Sequence, residues 1–291
     1  MTKDYMHILI STIARRIDRN IGEQLNLFDR LMLASILKQY GGPCSNFAET
    51  TSSMLNDYAT LPLSFHDGIL AVGIWKSIIR EDSAICDVRP EELDNHLYLS
   101  LIGRAFSLPF ATSGEVTFHS VGLFLIHAWE ASSGIYHYAI TELLIALLDD
   151  MHRMLLIKGS LVTPALKESY ITSLYRIATF ALDRSIYPTQ ARTVIEQLDS
   201  RFGRKLSDRH YRKLISFCFE KTIPLNPDGS STLIEPSGEL IYDLILYGFG
   251  KELIGAPRLP IFTQSGQQCQ HLSNKSLLGI IYYNFISNES H

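Results

Sequence analysis

The stretch QARTVIEQLDSRFGRKLSDRHYRKLISFCFEKTIPLNPDGSSTLIEPSG, residues 190–238, decides how this chain is read. Gln190 to Phe202 has the spacing of a modest helix, and Gly203 ends it. Ser207 supplies an N-cap oxygen for a second helix, Ser207–Lys221, with Leu214, Ile215, Phe217 and Phe219 as its apolar residues. Asn226-Pro227-Asp228-Gly229 follows as a turn: Pro presets φ, and Gly accepts the positive φ that a tight reversal needs. It lies between two short strand-like runs, Ile223–Leu225 and Thr232–Ile234, so a β-hairpin is predicted. Glu239 to Leu253 returns to a helical pattern.

Helix, turn, helix, hairpin, helix is an order that resembles the winged helix, from about Leu166 to Leu253. Charge agrees with that resemblance. Arg192, Arg201, Arg204, Lys205, Arg209, Arg212, Lys213 and Lys221 stand against Glu196, Asp199, Asp208 and Glu220, which makes the segment +4. The whole chain is −4, so the rest carries −8. A surface built for phosphates produces this asymmetry, because Lys and Arg that neutralise the backbone supply most non-specific affinity. The resemblance implies that Ser207–Lys221 is a recognition helix. Arg209, Arg212 and Lys213 would face the groove, His210 and Tyr211 would reach phosphate or base edges, and Arg201, Arg204 and Lys205 would flank it. A solvated basic face explains the same residues, and winged helices also dock proteins.

Working outward, helical periodicity fills the N-terminal part. Ile8, Ile13, Ile17 and Ile21 fall near one face with Arg15, Arg16 and Arg19 turned away. Gly41-Gly42-Pro43 breaks the pattern, and Ser45–Asp57 reads as a loop. Asp67–Ile79 is helical, Arg89-Pro90-Glu91-Glu92 is a Pro-led helix start, and Phe106–Glu115 is a second break. Two long apolar helices are predicted at about His119–Ser132 and Tyr136–Lys158, then a further one from Thr163-Pro164 to Ser185. The fold class expected is mainly α: an N-terminal helical bundle (residues 1–160), a winged-helix-like domain (161–254) and a C-terminal extension (255–291) whose apolar tail packs back on the protein.

Composition bounds the function. Hydrophobic residues make up 46% and charged ones 19% of 291, enough apolar material to exclude wholesale disorder. Cys44, Cys86, Cys218 and Cys269 form no CxxC pair, which points to thiols in a reducing, cytoplasmic setting. The most apolar region, Val121–Ile157, is broken by His127, Glu130, His137, Glu142, Asp149, Asp150, His152 and Arg153, so no membrane span is expected.

Three groupings suggest chemistry. His127 with Glu130, and Asp149 with His152, each share a helix face, and Glu142 joins the second pair. Carboxylate-x-x-His motifs on facing helices can hold two metals, but only one is present here and the other pair is reversed. His66-Asp67 resembles the doublet of the HD phosphohydrolases, which need further His and Asp ligands on neighbouring helices; the one histidine before the doublet, His7, is too far upstream, and Asp67 reads more simply as an N-terminal residue of the helix that follows Pro62. Arg204 and His210 are near the Arg–His spacing of the HEPN ribonucleases, which needs one helix where the present reading places a turn. P-loop, dinucleotide, nucleophile-elbow and zincin motifs are absent. The expectation is a non-enzymatic DNA-binding regulator with a helical sensing or assembly domain and no cofactor, with which a homodimer is compatible. The alternatives are an adaptor whose winged helix docks a protein partner, and a helical-bundle metal-dependent hydrolase or nuclease built on His127, Glu142, Asp149 and His152.

Overall fold

The computed structural model describes residues 8–13, 25–40, 61, 64, 66–79, 120–132, 134–156, 168–202, 237–249 and 272–289. They are mainly helical, with no strand among them. The proposed recognition helix (207–221), the hairpin (223–234) and the boundaries at 160 and 254 lie outside the described residues. No helix among those described is long and apolar enough to cross a membrane. The chain forms two compact units: Met1–Pro90 with Glu235–His291, and Glu91–Ile234.

In the first unit, residues 8–13 are helical and four further helices follow: α1 (Leu27–Tyr40), α2 (Ile69–Ile78), and, after the second unit in sequence, α7 (Gly238–Leu246) and α8 (Asn274–Glu289). Asn26 opens α1, its Oδ1 accepting from the Asp29 amide at 2.8 Å. Asp67 supplies a second cap from a distance, its Oδ1 accepting from the Leu27 amide at 2.9 Å. α1 is buried almost all round, so no polar face marks it in the sequence. Trp75 of α2 donates to Ser35 of α1 at 2.9 Å in the core.

α7 and α8 meet backbone to backbone. A Cβ on Gly279 would be driven onto the Gly238 carbonyl oxygen and would lie 2.8 Å from the Tyr242 amide nitrogen. One on Gly238 would strike the Ser276 backbone, 2.9 Å from its Cα. Only glycine on both helices permits this crossing. Both helices start on serine caps: Ser237 Oγ accepts from Leu240, and Ser273 Oγ accepts from Ser276 while donating to Glu239 on α7 at 2.6 Å. The C-terminal stretch, expected as an apolar tail, is thus a helix seated on α7.

The second unit holds α3 (Gly122–Ala131), α4 (Gly134–Leu156), α5 (Glu168–Asp183) and α6 (Pro188–Phe202). Trp129 touches Thr141, and Gly122 lies beside Leu147, so α3 and α4 run antiparallel. Tyr170 reaches Met154 and Tyr175 reaches Asp199, so α5 runs antiparallel to α4 and to α6. The result is an up-down-up-down arrangement around Leu144, Leu147, Leu148, Met151, Leu174, Ile177, Ala178, Val194 and Leu198. Gly134 turns α3 into α4 at φ 60°. The α5–α6 turn uses two non-glycine residues with positive φ, Ser185 (57°) and Tyr187 (47°). It is held by Ile186 N–H on the Ala181 carbonyl at 2.8 Å and by burial of the Ile186 side chain. Pro188 then takes the first position of α6.

Candidate functional site

The helix expected at Gln190–Phe202 is α6, ending one residue before Gly203. Of the basic residues assigned to a nucleic-acid surface, Arg201 lies in its last turn. Arg201 Nη1 donates to the Leu155 carbonyl at 2.8 Å, and its guanidinium sits 5.8 Å from the Phe202 ring centroid. It therefore ties the end of α6 to the end of α4, satisfying a carbonyl that a helix C-terminus leaves without an intrahelical partner. Arg192 is exposed on α6 together with Glu196 and Asp199, a face of mixed sign. Arg204, Lys205, Arg209, His210, Arg212 and Lys213 lie outside the described residues.

The four residues weighed as metal ligands spread out. His127 is buried on α3, and Glu142 is exposed on α4. Asp149 and His152 are half-buried further along α4, and His152 Nδ1 faces Gln197 Oε1 of α6 at 3.2 Å. Among the described residues no group of three or more His, Cys, Asp or Glu is placed to hold a metal. Glu130, the partner of His127 by spacing, instead makes an ion pair with Arg184. Arg184 also lies over the rings of Trp129 (5.6 Å) and Phe180 (5.7 Å), closing the turn end of the four helices.

The most perturbed chemistry sits in the first unit, around a residue that sequence reasoning passed over. Asp29, in the first turn of α1, is 4% exposed. Tyr242 of α7 and Tyr282 of α8 both donate to its Oδ1, at 2.9 and 2.8 Å. The phenol rings lie 5.9 Å apart, and Phe28 meets Tyr282 edge-on at the same separation. Burial pushes the Asp29 carboxyl up to about 6, against the pull of the Tyr282, Tyr242 and Asn26 hydrogen bonds; nearby Asp67 adds to the rise. Burial, with the Asp29 charge beside them, raises both phenols far above their ordinary value, so they remain donors.

A polar rim surrounds this core. Lys275 Nζ pairs with Asp243 at 2.8 Å and stands 5.5 Å from the Tyr242 ring centroid. His66 is solvent-exposed on one side, yet crowding by the protein pulls its imidazole below the ordinary value while Asp67 and Asp243 oppose the fall. Asp67, which its spacing placed at the start of the helix it precedes, caps α1 instead, and Gly68 is the N-cap of α2. The correction has a physical reason: a carboxylate serves any nearby helix start, and residues 66–68 lie against that of α1, where Phe28 N–H donates to the His66 carbonyl at 3.1 Å. The arrangement can hold a proton near neutrality and fasten three helices around it. One local signal pointed to it: Asn26-x-x-Asp29 before an apolar run has capping-box spacing. The tyrosines are 213 and 253 residues away and gave none.

No family model, curated protein or solved structure matches the chain.

Proposed function

We propose that the chain is a non-enzymatic DNA-binding regulator whose basic module contacts duplex DNA, with Arg209, Arg212 and Lys213 on a recognition helix of a winged-helix-like domain and the hairpin at 223–234 on flanking backbone. The observation that carries this reading is the segregation of charge. Arg204, Lys205, Arg209, Arg212, Lys213 and Lys221 stand against only Asp208 and Glu220, so residues 203–221 are +4 in a chain of −4. α6 supports it by ending where that tract begins, its last turn anchored to α4 through Arg201. The test is the salt dependence of binding to duplex DNA. Replacing Arg209, Arg212 and Lys213 by Ala should lower the slope of log K against log salt by about 3. An unchanged slope refutes the assignment.

One observation favours a second reading, a protein partner for the same chain. Ile135 (78% exposed), Tyr138 (66%) and Tyr187 (42%) lie in or near the two turns at one end of the four-helix arrangement. Large apolar groups in water are what an adaptor would use. That reading predicts no salt-dependent DNA affinity and a complex weakened by Ile135→Ser with Tyr138→Ser.

A further inference from the structure

Asp29 is a buried carboxyl whose partners among the described residues are two phenols and the side chain of Asn26; among those residues no cation reaches it. Around it, the charged and titratable groups of the described residues are otherwise engaged. On α1, Arg30 Nε donates to the Leu25 carbonyl. In the segment before α2, Asp67 caps α1 and His66 lies beside Asp67 and Asp243. On α7 and α8, Asp243 pairs with Lys275, and Tyr242 and Tyr282 point at Asp29. A carboxylate buried this deeply, with a second carboxylate in range and no counter-charge among the described residues, is costly, whereas the neutral acid in the same place is not. The acceptor oxygen for both phenols exists in either form.

We propose that Asp29 is a proton-operated latch: taking up a proton tightens the docking of α1 on α7 and α8, and losing it loosens that docking. The direction follows from linkage. A carboxyl that binds its proton more strongly in the folded than in the unfolded state adds stability that is full in acid, below the unfolded value of 3.8, and is lost as pH rises through its folded value of about 6. His66 acts oppositely, because its lowered value makes the folded state less favourable once the imidazole is charged.

The test is amide hydrogen exchange on the full chain at pH 5 and pH 7.5, corrected for intrinsic rates. Amides of Leu31–Leu37 in α1 are compared with those of Leu144–Met151 in α4, which is remote from Asp29 in sequence and lies in the other unit. To isolate the Asp29 contribution, the comparison is made in a background carrying His66→Asn and Asp150→Asn, because burial also raises the Asp150 carboxyl within the α4 reference. Protection of α1 relative to α4 should be about tenfold greater at pH 5 than at pH 7.5, from a carboxyl near 6. Asp29→Asn keeps an acceptor for both phenols and carries no charge, so it should protect α1 equally at both values. Equal protection at both pH values with Asp29 intact overturns the proposal, and so does a pH difference that survives Asp29→Asn.

Discussion

Gly279→Ala is the single methyl that should do most damage in the first unit. The new Cβ would be forced onto the Gly238 carbonyl oxygen, 2.8 Å from the Tyr242 nitrogen and 3.0 Å from the Gly238 carbonyl carbon. All of these are backbone atoms of α7, so relief requires the two helices to separate rather than a side chain to rotate. Overpacking alone costs about 1–3 kcal/mol, sometimes more. Separation also pulls on Tyr242 and Tyr282, which converge on Asp29 from α7 and α8, and hydrogen bonds to a charged group are worth about 1.5–3 kcal/mol each. The gain of about 1 kcal/mol in helix propensity for Gly→Ala offsets little of this. A net loss of about 3–5 kcal/mol follows, large against a typical total of roughly 5–15 kcal/mol. The two tryptophans make the assay selective: Trp75 is buried in the first unit and Trp129 belongs to the second. In a Trp129→Phe background, Trp75 fluorescence in urea should show the midpoint lowered by about 2 M, from a slope of about 2 kcal/mol/M. Gly122→Ala is the contrast, since its Cβ would meet side chains and no backbone, Ile177 Cδ1 most closely, then Ile177 Cγ1 at 2.8 Å and Leu147 Cδ2 at 3.2 Å. A midpoint for Gly279→Ala within experimental error of the parent would refute the close-crossing argument.

Asp67→Ala removes the distant cap on the Leu27 amide and should cost about 1 kcal/mol, seen as faster exchange in the first turn of α1. Asp67→Asn should retain most of that stability. Arg184→Ala loses the Glu130 ion pair and the stacking on Trp129 and Phe180, but the side chain is 40% exposed, so solvent screening holds the loss to about 1 kcal/mol or less. It should shift Trp129 emission in a Trp75→Phe background. Tyr175→Phe removes the 2.7 Å bond to Asp199 between α5 and α6 and should destabilise the second unit by about 1 kcal/mol in thermal melts.

Where polar breaks interrupt an amphipathic run, the sequence was readable. α4 was expected at Tyr136–Lys158 and lies at Gly134–Leu156, because Gly134 and the 159 region bracket a strip of regularly spaced leucines. α6 was legible for a similar reason, with Ala191, Val194, Leu198 and Phe202 on one buried side. α1 lies within the N-terminal helical pattern that Gly41-Gly42-Pro43 ends, but it received no bounds of its own because burial surrounds it, and periodicity needs a wet face to contrast with a dry one. α8 was read only as an apolar tail packing back on the protein, with no helix assigned, for the same reason. The Asp29 network was illegible for another reason: hydrogen bonds spanning 213 and 253 residues leave no trace in local spacing, and a lone aspartate at a helix start has an ordinary explanation as a cap.

The claim that matters most for function is that residues 203–221 bind a nucleic-acid backbone, and one titration addresses it. The purified chain is titrated against a random-sequence duplex at 50 mM and at 200 mM salt. If the six basic residues of that tract each neutralise a phosphate, affinity should fall by about 10³-fold between the two. Absence of binding at 50 mM, or an affinity that does not change with salt, would contradict the DNA-binding account.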